Sequence, residues 1–370
     1  MNHDIGQQLI MGIEGKSLTH DESSFIIKNN IGGIILFGRN VESVEQVHEL
    51  CTQIQSLRHQ LPTRSPLFIS VDQEGGRVAR LKAPFTVWPP LAKVGDLDST
   101  SVAFKFAQVM GEELKSVGIN LDFAPCIDIF SNPQNTVIGD RALGTTADRV
   151  AKLGSAVVRG YIKSGIIPCA KHFPGHGDTF VDSHENLPVE HKTFEELALR
   201  ELEPFKKVFR ARLDLVMAAH ILFPKIDPDW PATLSEIFLK KILRDQLRYR
   251  GLIITDDLDM GALKKNYDKA TIAVRALQAG NNILLYCNES DSPVVAVDAI
   301  TKALADRTLD LKTVSENASK IRQLKATALT APDPLPMNEV RQILGHPDHL
   351  RLAKGIASGL VPADLLTQTT

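Results

Sequence analysis

Short apolar runs recur along the whole sequence, and segments with helical spacing separate most of them. Val44, Val47 and Cys51, for example, recur every three or four residues, as expected for one face of an amphipathic helix. Near-continuous apolar strands that alternate with helices predict a parallel α/β sheet, covered by helices on its outer face. Eight runs resemble buried strands, at residues 9–13, 31–37, 67–71, 119–127, 166–170, 213–218, 252–255 and 283–286.

The number of predicted strands and the positions of polar residues favour a closed barrel. In a (β/α)8 barrel, reactive side chains come from the C-terminal ends of several strands, whereas in a doubly wound sheet they cluster at one switch point. Here polar residues follow most of the predicted strands, and we therefore predict a single (β/α)8 TIM-type barrel. These residues are Asp72, Gln73 and Glu74, Asp128 and Arg141, Lys171 to His184, His220, Asp256 and Asp257, and Asn288.

A proline-rich segment marks the end of the predicted barrel. Residues 331–337 (APDPLPM) contain three prolines, and proline interrupts a helix because it lacks the amide hydrogen. The residues beyond it look helical but carry no reactive cluster. We predict a barrel domain over residues 1–330 and a helical C-terminal extension over residues 331–370 that packs on the barrel.

Charge and hydropathy exclude several kinds of partner. The formal net charge is −2, from 42 basic and 44 acidic residues, so the chain lacks the positive balance typical of proteins that bind DNA or RNA. No apolar run reaches the roughly 20 residues that span a bilayer, and the first residues do not start a signal peptide. We expect a cytoplasmic protein that acts on a small molecule, without a nucleic-acid or membrane partner.

The segment Lys171 to His184 (KHFPGHGDTFVDSH) concentrates groups that transfer protons or bind metal. Its histidines and aspartates would suit zinc or iron, which makes a metal-dependent hydrolase the main alternative. However, the HxH and HExxH spacings of many metal sites do not occur here. Asp182 instead lies two residues before His184, where it can orient the imidazole for proton transfer. We predict no metal and no cofactor.

Two further strand ends carry candidate site residues. Asp256 is the first carboxylate after residues 252–255, and we expect it to be the nucleophile. The following aspartates, Asp257 or Asp259, suit a helix N-cap. Asp72 is expected to face the barrel mouth, because Gly75 and Gly76 allow a tight turn directly after it.

Basic residues near the strand ends suit a hydroxylated or carboxylated ligand. Arg80, Arg141 and Lys171 would supply its fixed hydrogen-bond donors. For Glu74 a functional role and a structural one are equally compatible with the sequence.

Six motifs follow one another along the chain: IGGIILFGRN (31–40), VDQEGGRVARL (71–81), IGDRAL (138–143), KHFPGHGDTFVDSH (171–184), PATLS (231–235) and ITDDLDM (254–260). Together they resemble the family 3 glycoside hydrolases, in the single-domain branch of β-N-acetylhexosaminidases. The resemblance covers residues 9–329. Many family 3 enzymes that act on glucosides or xylosides have a second α/β domain and use a glutamate as the acid, whereas the Asp-Ser-His triplet here is similar to the hexosaminidase branch.

The resemblance implies a reaction and a role for each motif residue. It implies a retaining exo-β-N-acetylglucosaminidase that removes N-acetylglucosamine from muropeptides in cell-wall recycling. Asp256 would be the nucleophile, His184 the general acid/base and Asp182 its orienting partner. The non-reducing sugar would be held by Asp72, Arg80, Arg141, Lys171 and His172.

Other functions remain open at this point. Besides the metal-dependent hydrolase, these are a family 3 β-glycosidase of other sugar specificity, a phosphorylase in which phosphate replaces water, and a catalytically silent barrel that senses muropeptides. The natural aglycone and the oligomeric state have no signature in the sequence.

Overall fold

Eight short parallel strands form the centre of the protein. The computed structural model describes residues 3–180, 182–183 and 185–367. Within them each strand pairs with the next and the last pairs with the first, which closes the sheet and confirms the predicted (β/α)8 barrel. The strands are β1 Leu9–Gly12, β2 Gly33–Leu36, β3 Phe68–Val71, β4 Leu121–Asp122, β5 Ile167–Phe173, β6 Leu215–Ala218, β7 Leu252–Asp257 and β8 Ile283–Tyr286.

Helices connect the strands and cover the outside of the barrel. The π-helical segment Ile237–Gln246 connects β6 to β7, where an α-helix would be usual. The α-helices are α1 His3–Gln7, α2 His20–Asn29, α3 Val44–Ser56, α4 Leu91–Asp96, α5 Thr100–Ser116, α6 Ala147–Ser164, α7 Phe194–Leu199, α8 Leu202–Phe209, α9 Gly261–Lys264, α10 Lys269–Ala279, α11 Ser292–Ala305, α12 Leu311–Ala328, α13 Met337–Ile343, α14 Pro347–Ser358 and α15 Asp364–Thr367.

The strand residues alternate between two apolar layers. One cluster fills the barrel interior and a larger one lies between the strands and the helices. On β5, Ile167 and Cys169 belong to the interior cluster, so the period of two residues directs Lys171 inward as well. On β7, Ile254 belongs to the interior cluster, and the pairing with β8 shifts register after it. Beyond this shift the charges of Lys171 and His172 act on Asp256, so its carboxylate also faces the interior of the barrel. Reactive side chains therefore continue the inner rows of the barrel at its C-terminal end.

Several predicted strand boundaries were wrong, and those of the fourth, fifth and seventh strands bear on the site. The fifth strand extends to Phe173 and the seventh to Asp257, so Lys171 and Asp256 lie on strands and not in the loops after them. A prediction from hydropathy ends these strands too early, because a polar side chain can stay buried within a strand where other protein groups form its hydrogen bonds and ion pairs. The fourth strand is shorter than predicted, at Leu121–Asp122. The chain after it still runs beside β5, since Cys169 N donates to the oxygen of Ala124 at 2.9 Å.

Local signals place the helix ends. Thr193 and Glu196 form a capping box at the start of α7, and Gly280 ends α10 in the left-handed conformation. A proline within a helical stretch favours a break, but Pro204 does not itself break this one. The break lies before it, between α7 and α8, and Pro204 occupies the first turn of α8, where a missing amide hydrogen costs little.

The helices after residue 330 pack against the outside of the barrel. Val340, Leu352 and Ile356 are buried, and α13 and α14 contact α5. Leu335 N donates to the oxygen of Ser116 at 3.0 Å. Whether residues 331–370 are a unit separate from residues 1–330 stays a prediction.

Two global features bear on the environment of the protein. Among the described residues, no helix combines the length and the apolar character that a membrane crossing requires. The cysteines Cys51, Cys126, Cys169 and Cys287 are buried and free.

Candidate active site

Lys171 lies at the centre of a charged network in the barrel mouth. Its Nζ atom lies 2.7 Å from Asp72 Oδ1 and 2.7 Å from Glu74 Oε1. Burial alone lowers the pKa of Lys171, but the two carboxylates outweigh burial and raise that pKa. The ammonium group is therefore charged at neutral pH, although only 3% of the side chain is exposed.

Glu74 joins this lysine to Arg141. The guanidinium donates through Nε to Glu74 Oε2 at 2.9 Å and through an Nη atom to Oε1 at 2.7 Å. Burial alone raises the pKa of Glu74, whereas Arg141 and Lys171 together hold it well below its usual value. The open question about Glu74 thus has a structural answer: it is the buried anion that fixes two cations. In the sequence, the only signal for this role is the position of Glu74 directly before Gly75 and Gly76.

Asp72 and Arg80 lie at the exposed edge of the same network. An Nη atom of Arg80 lies 3.5 Å from Asp72 Oδ2, and the two side chains are 27% and 17% exposed. The guanidinium also stacks over the Phe37 ring at 5.3 Å. Gln73 fixes the backbone here, because its Oε1 accepts from Arg80 N at 2.7 Å. Asp72 and Arg80 are the members of the network that face the opening.

His172 is held by Asp128, a residue that the sequence placed at a strand end without a role. Asp128 Oδ2 accepts from Nδ1 of His172 at 2.6 Å, and Oδ1 accepts from His176 N at 2.7 Å. Burial raises the pKa of Asp128, but His172, His176 and these hydrogen bonds outweigh it and lower the pKa to about 2. This permanent carboxylate fixes the orientation of the His172 ring.

His176 is a buried structural histidine. Its ring nitrogens lie 2.7 Å from Thr179 Oγ1 and 3.1 Å from Ser183 Oγ. Burial, followed by the neighbouring His172, lowers the pKa of His176 to about 4, so the ring is neutral at pH 7. The His176 ring therefore links Thr179 to Ser183 within the loop after β5.

The one cluster of metal-ligating groups found among the described residues is Cys126, Asp128 and His172. It differs from the set that the metal hypothesis named, since it shares only His172 with that set. Its carboxylate already accepts hydrogen bonds from His172 Nδ1 and from Cys126 Sγ, at 2.6 and 3.3 Å. A metal ion here would have to displace both hydrogen bonds.

Asp256 faces the barrel axis from the end of β7. The surrounding protein removes water from the carboxyl group, which raises its pKa, but His172, His220, the Asp257 amide and Lys171 outweigh this effect and lower the pKa. Asp256 is thus an anion at neutral pH, as a nucleophilic carboxylate must be.

Asp257 has a different role. Its carboxylate accepts from the backbone N–H groups of Asp259 and Cys287, both at 3.0 Å, and so connects β7 to the chain after β8. It does not cap a helix as the sequence suggested. Burial is the main cause that raises the pKa of Asp257 to about 7, and the negative charge of the neighbouring Asp259 is the next.

The loop after β5 is attached to α9, the short helix that follows β7. The oxygen of Ser183 accepts a hydrogen bond from Ala262 N at 3.1 Å, and Ser183 is buried. Asp178, earlier in the same loop, forms ion pairs with Lys192 and Arg200. His184 lies outside the described residues, and Asp182 lies within them, partly exposed.

The comparison with protein families decides between the proposed classes. Residues 2–324 match the model of the glycosyl hydrolase family 3 N-terminal domain. The chain belongs to glycosyl hydrolase family 3. The predicted family is therefore confirmed, and this family 3 chain is a glycoside hydrolase.

Individual relatives agree with this assignment. A β-hexosaminidase from Hydrogenovibrio crunogenus is 37% identical over 80% of this chain and 84% of its own length. The structure of a β-N-acetylglucosaminidase from Paenibacillus sp. str. FPU-7 matches with a TM-score of 0.89 and 34% identity, over 96% of this chain and 68% of that one. NagZ from Neisseria gonorrhoeae, in complex with N-trifluoroacetyl-D-glucosamine, matches with a TM-score of 0.75 and 31% identity, over 95% and 97% of the two chains.

Proposed function

We propose that this family 3 enzyme is a retaining exo-β-N-acetylglucosaminidase that forms a covalent glycosyl ester on Asp256. The observation that carries the proposal is the position of Asp256 on the inner row of β7, in cationic surroundings that lower its pKa. An anionic carboxylate at the mouth of a barrel can attack an electrophilic anomeric carbon. Terminal N-acetylglucosamine is the proposed sugar, because the relatives described above are β-hexosaminidases and β-N-acetylglucosaminidases.

The reaction would proceed in two displacements. Asp256 attacks the anomeric carbon while His184 protonates the glycosidic oxygen, and the bond to the aglycone breaks. His184 then removes a proton from water, which attacks the same carbon and releases the Asp256 carboxylate. Each displacement inverts the anomeric centre, so the net result is retention.

The role of His184 rests on its sequence context and on the contact beside it. Asp182 precedes it by two residues and would orient the imidazole. Ser183, between the two, bonds through its oxygen to Ala262 N, shortly after Asp256 in the chain. This hydrogen bond supports a site in which the loop after β5 and the end of β7 act together.

The groups that bind the sugar hydroxyls would contact the sugar from the side of the barrel opposite to Asp256. In a closed ring of eight strands, β3 and β7 lie across from each other. Asp72 and Arg80, after β3, are partly exposed and would bond to the sugar hydroxyls directly. The buried residues Lys171, Arg141 and His172 would fix these groups and complete the pocket.

We further propose that the natural substrates are muropeptides and that the enzyme works in the cytoplasm. The family branch whose motifs this chain resembles supports the first point. Buried free thiols support the second, since reduced cysteines are typical of cytosolic proteins.

A mechanism-based fluorosugar tests the reaction and the nucleophile together. An activated 2-acetamido-2-deoxy-5-fluoro glucoside should label the enzyme stoichiometrically, and the labelled peptide should carry the sugar on Asp256. A label on Asp257, or turnover with inversion, would contradict the proposal.

A panel of aryl β-glycosides tests which sugar the enzyme accepts. Added phosphate tests phosphorolysis, which would yield a sugar 1-phosphate. The same panel tests the silent barrel, since turnover of any glycoside removes that alternative.

A further inference from the structure

A buried glutamate outside the barrel mouth joins three separate segments of the chain. Glu113 on α5 is 3% exposed. Its Oε2 accepts from Thr86 N at 2.8 Å and its Oε1 accepts from Thr86 Oγ1 at 2.6 Å. Oε1 also accepts from Gly345 N at 3.1 Å and from His349 Nδ1 at 2.8 Å. The carboxylate is thus satisfied by donors from the loop after β3 and from the C-terminal extension.

The loop that contains Thr86 supports the β3 end of the active site. Trp88 accepts a hydrogen bond from Gly76 N at 2.9 Å through its backbone oxygen. Gly75 and Gly76 both have positive φ, and a Cβ on Gly75 would lie 2.5 Å from the oxygen of Pro89. The turn that carries Glu74 therefore packs directly on residues 88–90, with no room for a side chain between them.

The C-terminal extension packs on the other side of this loop. Gly345, between α13 and α14, has a φ of +58°, and a Cβ there would lie 2.7 Å from the oxygen of Pro84. The match to the family model ends at residue 324. The contacts of Gly345 and His349 with Glu113 are therefore made by a part of the chain that the family model does not include.

We infer that the C-terminal extension positions the sugar-binding end of the active site, with His349 and Glu113 as positioning residues that act through Thr86. The path runs from His349 to Glu113 and Thr86, then along the chain to Trp88, and from there by a hydrogen bond to Gly76. Glu74 and Asp72 lie just before Gly76 on the same turn. This inference rests on the proposed function only where it concerns sugar binding.

The fluorescence of one tryptophan, Trp88, can report changes along this path. Trp88 is buried and packs edge-to-face against Phe106, with ring centroids 5.0 Å apart. The chain has two tryptophans, so Trp230→Phe leaves Trp88 as the sole indole. In this background, His349→Ala and Thr86→Val should each raise the quenching of Trp88 by acrylamide about twofold or more. They should also raise KM for an aryl β-N-acetylglucosaminide by roughly threefold to tenfold, with kcat changed less than twofold, because each hydrogen bond contributes about 1 kcal/mol.

Matched variants separate positioning from loss of stability. Arg351→Ala removes exposed ion pairs to Asp348 and Asp364 within the extension and should leave both Trp88 quenching and KM unchanged. His349→Asn can still donate to Glu113 and should restore KM by at least half of the effect. The double variant of His349 and Thr86 should raise KM less than the product of the single effects, because both residues share Glu113.

The outcomes distinguish this inference from the proposed function. An unchanged KM in His349→Ala, or the same KM increase in Arg351→Ala, overturns the positioning role. If the unmodified enzyme neither hydrolyses the glycoside nor binds N-acetylglucosamine in calorimetry, the proposed function fails instead. In that case the quenching experiment still decides whether the extension positions the loop.

Discussion

Lys171 Nζ lies 2.7 Å from Glu74 Oε1, and both side chains are almost fully buried. A buried ion pair of this kind is costly to break, because the remaining charge loses its partner in a medium that solvates it poorly. Loss of this pair in the barrel mouth should therefore lower the stability of the whole barrel.

Glu74→Gln should lower the free energy of unfolding by about 3–5 kcal/mol, because it leaves the charges of Lys171 and Arg141 without their shared anion. Urea denaturation measures this loss. Asp140→Asn is the matched control, since Asp140 pairs with Arg77 at 3.2 Å with both side chains 48% exposed. The control should change stability by less than about 1 kcal/mol. Equal losses in the two variants would show that Glu74 has no special role.

Gly177→Ala should disturb the loop after β5. A Cβ on Gly177 would lie 1.7 Å from the oxygen of Ile129, so the loop or the chain after β4 must move. We expect a loss of about 1–3 kcal/mol in stability, together with lower activity, as measured by thermal unfolding and steady-state kinetics. Gly38→Ala is the control, because nothing lies within 4 Å of the added Cβ. A fully active Gly177→Ala enzyme would mean that this contact does not position the loop.

His184→Ala should slow the hydrolysis of poor leaving groups more than that of good ones. An aryl group such as dinitrophenolate leaves without a proton, whereas an alkyl alcohol needs the proton that His184 is proposed to supply. General acid catalysis contributes about 10²- to 10⁴-fold, so the alkyl glycoside should lose that much in kcat/KM. Exposed His191 provides a control by His191→Ala. Equal losses for both leaving groups would exclude His184 as the acid.

Lys325→Met should flatten the dependence of stability on pH. Lys325 Nζ donates to Gln7 Oε1 and to the oxygen of Gly32, at 3.0 and 2.8 Å, beneath the barrel. Burial lowers its pKa to about 7, against about 10.4 in the unfolded chain. Between these values the unfolded state binds more protons, so the stability of the native protein should rise with pH from about 7 to about 10.4.

Urea denaturation at several pH values measures this slope. The Met variant lacks the titrating group and should have the smaller slope. Lys312→Met, at a side chain that is 75% exposed, should keep the native slope. A native slope in Lys325→Met would contradict the role of the buried amine.

Prolonged treatment with a chelator should leave activity unchanged. Asp128 Oδ2 already accepts from His172 Nδ1 at 2.6 Å, so the cluster of Cys126, Asp128 and His172 is arranged as a hydrogen-bonded group. Metal analysis of the purified enzyme before and after EDTA, alongside the rate, measures this. Activity that falls with EDTA and returns with zinc would revive the metal-dependent alternative.

The sequence predicted the barrel well because its signals are local and repetitive. Each strand is a short apolar run, and the polar residues at the ends of β3, β5 and β7 led to the prediction that Asp72, Lys171 and Asp256 lie in the barrel mouth, where the structure has them. The strand boundaries were less accurate because a lysine or aspartate inside a strand looks like the start of a loop. Only its buried partners, which are distant in sequence, keep it in the strand.

Partnerships between distant residues could not be predicted from one sequence. Nothing in the local pattern indicates that Glu74 pairs with Arg141, 67 positions later. The same holds for Asp128, which binds His172 across two neighbouring strand ends. Such pairs depend on the closure of the barrel, which brings residues together at distances that sequence spacing does not encode.

The inward rows of β5 and β7 continue below the reactive residues as Ile167, Cys169, Leu252 and Ile254, which fill the interior of the cylinder. A sugar in the proposed site has no passage through this floor. Substrate and released monosaccharide must then both pass through the mouth of the barrel and occupy the same site, and we expect N-acetylglucosamine to act as a competitive product inhibitor.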